Sequence, residues 1–166
     1  MRVLPADYVS WSKILLVLNG GIKQDIPVEV LERGKKIHEM IQNSLNVFAE
    51  FTPIIYIKIG NKKVWLLGHV DGVDFSAKEF IEIKSKRYYE QNRDIVLMQC
   101  AFYDFVLNQF LRKMGMELSR KEKYKCKIVL YEYDYSTKCI KLSEVYPNQE
   151  LLSQKWLEVK NIIKKL

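Results

Sequence analysis

Two strand-like runs joined by three polar residues constrain this fold more than any other stretch of the chain. Residues 64–75 are rich in β-branched and aromatic side chains and follow a Gly60-Asn61-Lys62-Lys63 turn, the pattern of a strand leaving a tight bend. Ser76-Ala77-Lys78 makes a short polar connection, and residues 79–84 alternate charged and apolar side chains, as a half-buried strand does. The two runs predict a hairpin that sets Asp71 beside Glu82. Strand side chains alternate faces, so Glu82 and Lys84 are expected to point one way while Ile83 enters the core. His69, two residues before Asp71, is expected on the same strand face as that acid.

The chemistry of such a hairpin is specific. Two carboxylates and the Ile83 carbonyl are hard oxygen ligands, which suit Mg²⁺ or Mn²⁺ rather than zinc. Lys84, a compact cation on a flexible stem, is placed to orient a nucleophile or to balance charge on a phosphate. The spacing Asp-x₁₀-Glu-x-Lys by itself leaves a second reading open, the solvated face of an ordinary strand.

The remaining pattern predicts one α/β unit. A helix begins at Asp25-Ile26-Pro27 and runs to about residue 48, with Leu31, Gly34, His38, Ile41 and Leu45 as its inward stripe. Residues 51–59 read as a strand with Pro53 near its start, where proline is tolerated. A helix over 92–113 carries Ile95, Met98, Phe102 and Phe105 or Val106 as core. Gln99 and Tyr103, four apart, share a neighbouring face of that helix; helical spacing alone makes them a surface glutamine and a boundary tyrosine. Residues 124–135 and 138–145 read as strands turned by Ser136-Thr137, and 151–166 as an amphipathic helix ending in Lys164-Lys165, which complements its dipole. The predicted order is α-β-β-β-α-β-β-α, a mixed central sheet flanked by helices. At 166 residues and 48% apolar the chain suits a single domain over 1–166. No repeat, low-complexity tract or linker is visible.

Gly68-x-x-Asp71, Glu82-x-Lys84 and Gln99-x-x-x-Tyr103, in this order, resemble the RecB-type branch of the PD-(D/E)XK nuclease superfamily, which includes CRISPR-associated exonucleases and viral relatives. That branch carries an upstream helix with a metal-coordinating histidine, often preceded by a glycine, and Gly34-Lys35-Lys36-Ile37-His38 occupies the corresponding stretch. The resemblance spans roughly residues 30–107. It implies a restriction-endonuclease-like core and a metal-dependent deoxyribonuclease, more specifically an exonuclease acting on DNA ends. In that scheme Asp71, Glu82 and Lys84 are catalytic, and His38, Asp71, Glu82 and the Ile83 carbonyl hold Mg²⁺ or Mn²⁺. Gln99 and Tyr103 support the substrate contact, His69 is a substrate contact or spare ligand, and Glu50 stands where relatives place another acid. Junction resolvases, which are structure-selective endonucleases, share the acid–acid–lysine set, and a non-catalytic adaptor or inhibitor on the same fold is a third class.

Composition agrees. The formal net charge is +7 and the pI about 9.2, a balance that favours a polyanionic partner such as DNA, although lysine-rich surfaces also serve solubility. Lys86, Arg87, Arg112, Lys113, Arg120, Lys121 and Lys123 are candidate phosphate contacts, and Tyr88, Tyr89 and Tyr124 are candidates for stacking on bases. Cys100, Cys126 and Cys139 are widely spaced, with no Cys-x-x-Cys pair. Relatives that hold an iron–sulfur cluster use one upstream and three clustered downstream cysteines, so none is expected here. An odd cysteine count and no evident secretory signal fit a reducing, cytoplasmic setting, and the apolar run 12–18 is too short to span a bilayer. A compact stand-alone nuclease of this kind suits an archaeal or viral role. Closure into a homo-oligomer around DNA is also compatible.

Overall fold

A proline and a glycine decide how the strands are shared out. The structure, a computed structural model, describes residues 8–116 and 122–166. Its first elements are β1 (Tyr8–Ser10), α1 (Trp11–Leu18), α2 (Val28–Leu45), β2 (Phe48–Phe51), β3 (Ile54–Ile59), β4 (Lys62–Leu67), β5 (Val70–Asp74) and β6 (Glu79–Ser85). They are followed by α3 (Lys86–Gln91), α4 (Arg93–Lys113), β7 (Lys125–Asp134), β8 (Cys139–Val145) and α5 (Gln149–Lys164).

The runs expected as single strands over 51–59 and 64–75 each break in two. Pro53 has no N–H for a ladder, and Gly68 sits opposite it, donating its N–H to the Pro53 carbonyl at 2.9 Å. A Cβ on Gly68 would lie 3.2 Å from Pro53 Cγ and 3.3 Å from Val106 Cγ1, so a small residue lets this corner close onto α4. The long hairpin therefore bends sharply, and its two halves enter different sheets. One sheet has the order β1-β4-β3 and the other β2-β5-β6-β7-β8. Both are mixed, with β1–β4 and β6–β7 parallel and the other pairs antiparallel. The expected α/β class with helices flanking mixed sheets is observed. Its element order is richer than expected by the two extra strands, by the β1–α1 unit and by α3.

The five-stranded sheet is covered on both faces. Phe80 of β6 and Cys126, Ile128 and Leu130 of β7 join Val96, Cys100, Phe102 and Tyr103 of α4 in the larger core. Ile81 and Ile83 of β6 and Val129 of β7 instead pack with Ile37, Ile41 and Leu45 of α2. The period-2 alternation of β6 thus serves two cores, and its polar members share the α4 side with Phe80.

α2 departs from expectation in its first half. It follows Pro27 and ends on Asn46 in the left-handed region at φ 53°, but Leu31 is 54% exposed. A Cβ on Gly34 would meet nothing within 4 Å, so this glycine does not mediate a close approach to the sheet. Only the second half of the helix reaches the sheet. α4, by contrast, is buried along most of its length between the sheets and α5, with Phe105 stacked on Trp156 at 4.0 Å between centroids.

Candidate active site

The site begins at a turn. Asp74 Oδ1 accepts from the Ser76 N–H at 3.1 Å, the Ser76 hydroxyl at 2.9 Å and the Ala77 N–H at 2.9 Å, and Lys78 adopts φ 54°. These bonds hold the Asp74 carboxyl below the usual carboxylate range, the Ala77 N–H contributing most. The turn fixes the register Asp74↔Glu79, Val73↔Phe80 and Gly72↔Ile81; by the same count Asp71 comes next to Glu82, one step past the last pair. The regular ladder stops at Gly72. Beyond it, Asp71 Oδ2 takes the Ile83 N–H at 2.7 Å, so a carboxylate stands in the opening between two separating strands.

Glu82 is 1% exposed. Its Oε2 lies 3.9 Å from Lys84 Nζ, while Oε1 is buried with no hydrogen-bond partner among the described residues. Burial raises the Glu82 carboxyl well above the usual range, and the Asp71 charge pushes it further, partly offset by Lys84. The two acids lie close enough to act on one another, with the Lys84 ammonium as the neighbouring cation. The hairpin prediction of Asp71 beside Glu82, with Lys84 on the same side, matches this geometry.

Helices complete the surroundings. From α2, His38 Nδ1 stands 3.8 Å from Asp71 Oδ1, and Gln42 Nε2 donates to the Asp71 carbonyl at 2.7 Å. From α4, Gln99 Nε2 donates to the Tyr103 hydroxyl at 3.3 Å; both residues are buried, not the surface and boundary positions that spacing alone suggests. Burial pushes the Tyr103 hydroxyl up, and the nearby Glu82 charge adds to it, so the phenol stays a donor beneath the acids. Tyr131 of β7 packs edge-on against His38 at 6.1 Å, and Tyr88 of α3, 38% exposed, lies 5.8 Å from Lys84 Nζ. Gln42 and Tyr131 escaped the sequence reading. Gln42 sits four residues after His38, a helical offset that was a usable signal, whereas Tyr131 is brought in by the β6–β7 pairing, which spacing does not announce.

Several expected members lie elsewhere. His69 belongs to the corner between β4 and β5 and is exposed, its Nδ1 3.1 Å from Thr52 Oγ1; no strand continues through it to share a face with Asp71. Glu50, unlike His69, falls opposite Asp71 in the gap of a β2–β5 ladder that pairs Ala49 with Gly72 and Phe51 with Val70, where it is exposed with φ 55°. Tyr89 and Tyr124 are core residues. Lys86 pairs with Glu132 at 3.6 Å and Lys123 with Asp104 at 2.7 Å, and Lys113 donates to the Tyr56 carbonyl at 2.9 Å. Arg112 and Lys113 follow Gln99 by enough helix to stand roughly 20 Å from it. Arg120 and Lys121 lie outside the described residues. Buried Cys100 and Cys126 approach one another from α4 and β7, and burial raises the Cys126 thiol; Cys139 is exposed.

Among the described residues no three His, Cys, Asp or Glu side chains stand together as a ready-made cage for a divalent cation. The donors that fit are the two carboxylates, one with an unpartnered oxygen, and the adjacent main chain of Ile83, an all-oxygen set suited to Mg²⁺ or Mn²⁺. His38 touches the set through Asp71.

No family model and no curated protein matches the chain. A solved structure titled "Crystal structure of SSO0001" is similar, with a TM-score of 0.59 at 14% identity, covering 99% of this chain and 76% of that one. The likeness supports the α/β architecture of mixed sheets flanked by helices. Among the described residues no helix is long and apolar enough to cross a membrane.

Proposed function

We propose that this protein is a metal-dependent nuclease with a restriction-endonuclease-like core, hydrolysing phosphodiester bonds in DNA and acting from ends. One observation carries the reading: Asp71 and Glu82 converge across a splayed hairpin with Lys84 alongside, and the buried Glu82 keeps an oxygen without a partner. The charged form of a buried carboxyl with an open acceptor and a second acid beside it is costly, and a bound divalent cation would offset that cost.

Asp71, Glu82 and the Ile83 carbonyl would hold Mg²⁺ or Mn²⁺, which supplies Lewis acidity and an activated water at neutral pH. Asp71 and Glu82 fix the geometry from a rigid central sheet. Lys84, half-buried and beside Glu82, presents its ammonium to the scissile phosphate and stabilises charge that grows on it. Tyr103, held by Gln99, supports the acids from below. Tyr88 lies beside Lys84 and Tyr131 beside His38.

A second reading, a non-catalytic DNA-binding or adaptor module, draws on Asp71 Oδ2, which already accepts from Ile83. One assay separates the two. End-labelled single-stranded, blunt, nicked and circular DNA are incubated with Mg²⁺ or Mn²⁺, with Lys84→Ala protein as control. Loss of linear DNA with survival of circles supports the end-dependent nuclease. Cutting of circles or four-way junctions points to an endonuclease, and retention of every substrate with DNA bound supports the adaptor.

A further inference from the structure

Among the described residues α2 makes two polar contacts with the rest of the protein, and both end on Asp71. His38 approaches its carboxylate and Gln42 donates to its carbonyl at 2.7 Å. The two side chains lie one helical turn apart on the same face. Gln42 is 6% exposed, and a buried amide is expected to be bonded; here the bond is spent on the main chain of an acid rather than on the helix or on solvent. Immediately beyond Asp71, a Cβ on Gly72 would come within 2.5 Å of Val47 Cγ2, so β5 and the residues leaving α2 touch at the same level.

Position gives the contact its meaning. The β5–β6 ladder stops at Gly72↔Ile81, and from there the Asp71 carboxylate reaches into the opening to take the Ile83 N–H. The β2–β5 ladder on the other edge pairs Ala49 with Gly72 and Phe51 with Val70 and passes over Asp71, so neither ladder pairs Asp71 and its carbonyl takes its partner from a side chain. Gln42 supplies it from outside the sheet. The first half of α2 stands clear of the sheet, with Val28, Val30 and Leu31 all more than half exposed, so Ile41 and Gln42 belong to the part of the helix that docks.

We propose that Gln42 is a positioning residue: it aims the Asp71 carboxylate at the divalent cation and couples the seating of α2 to cation affinity. The inference rests on the nuclease reading above. The test uses Gln42→Met, which keeps length and removes the donor, and Gln42→Glu, whose ionised carboxylate accepts only. Two quantities are measured on the full chain: hydrogen exchange at the Ile83 amide by NMR without metal, and the affinity for Mn²⁺ alone by calorimetry. The expected result for both variants is Ile83 exchange about five- to tenfold faster, the scale of one hydrogen bond, with Val129 exchange unchanged. Mn²⁺ affinity is expected to fall about tenfold. Ile83 exchange and Mn²⁺ affinity both at wild-type values would overturn the inference, as would a change in only one of them. Those results leave the nuclease reading standing; wild-type protein that takes up no Mn²⁺ overturns that reading and the role of Gln42 with it.

Discussion

Two hairpins in this molecule are built on nearly the same turn and do opposite things with it. Asp74-Phe75-Ser76-Ala77-Lys78 joins β5 to β6, and Asp134-Tyr135-Ser136-Thr137-Lys138 joins β7 to β8. In each, the aspartate Oδ1 accepts from a serine N–H and hydroxyl, at 3.1 and 2.9 Å in the first and 3.0 and 2.6 Å in the second. In each, the lysine adopts a left-handed φ, 54° and 56°. Counted from the turn aspartate, Asp71, Gly72, Glu82 and Lys84 correspond to Tyr131, Glu132, Leu142 and Glu144. The first hairpin runs through the middle of the sheet under α2 and α4, whereas β8 is an edge strand and Leu142 is 44% exposed. The same local chemistry sets both registers. Burial from the helices turns only one of them into a site where charge is confined.

That contrast can be broken at matched positions. The largest effect is expected in catalysis. Asp71→Ala and Lys84→Ala should each lower DNA cleavage on the order of 10²–10⁴-fold, the loss of one positioned group, while Glu144→Ala leaves it within about twofold. Single-turnover cleavage of linear DNA measures all three, and an Lys84→Ala rate equal to wild type would remove the distinction between the hairpins.

Packing comes next. Gly72→Ala drives a Cβ against Val47 and is expected to cost about 1–3 kcal/mol as an overpacked core position, whereas the exposed counterpart change Glu132→Ala stays within about 0.5 kcal/mol. Urea unfolding of both variants checks this; equal costs would mean that Val47, just beyond α2, does not press on β5 as described.

Glu82→Gln sharpens the comparison from the other side. It replaces a buried carboxyl that has an unpartnered oxygen and whose charged form burial and Asp71 disfavour, and should raise the melting temperature of the metal-free protein. About 1 kcal/mol in a chain of this size is worth roughly 2–4 °C. Leu142→Gln at the exposed counterpart should do little. The site would then trade stability for function, and a lowered melting temperature for Glu82→Gln would contradict that trade.

The smallest effect concerns acid. The Ser136 hydroxyl, then Lys141, hold Asp134 down to about 2 from the ordinary 3.8, and Asp74 is lowered by its own turn bonds. A depressed carboxyl contributes stability that is present above its unfolded value and lost as pH falls through the folded one. The turns should therefore weaken together between about pH 4 and 2. Thermal melts of Asp134→Asn should show a shallower loss over that window than wild type; an unchanged slope would show that these bonds do not set the register.

Much of this was legible in the sequence, for reasons specific to each element. The hairpin carrying Asp71 and Glu82 announces itself through strand periodicity and a polar link, and α4 through an unbroken helical stripe. The bend at Pro53 and Gly68 was half visible. Proline warned of a break, but its pairing with Gly68 depends on a register across the hairpin, so two strands read as long became four. His69 was lost at that bend for the same reason. Leu31 and Gly34 fit the helical period of α2 but lie beyond the edge of what it covers, since periodicity reports which face is apolar and not how far along the helix a sheet extends. Gln42 and Tyr131 reach the site by tertiary contact, which no local pattern records.

The central claim is that Asp71 and Glu82 share one divalent cation in the opening between β5 and β6. The most direct measurement is the anomalous difference density of crystals grown with millimolar Mn²⁺. The account predicts a peak bonded to the carboxylates of Asp71 and Glu82 and to the Ile83 carbonyl. Density free of any peak there, with the Asp71 carboxylate still on the Ile83 N–H and Glu82 still sealed beneath it, would contradict the account.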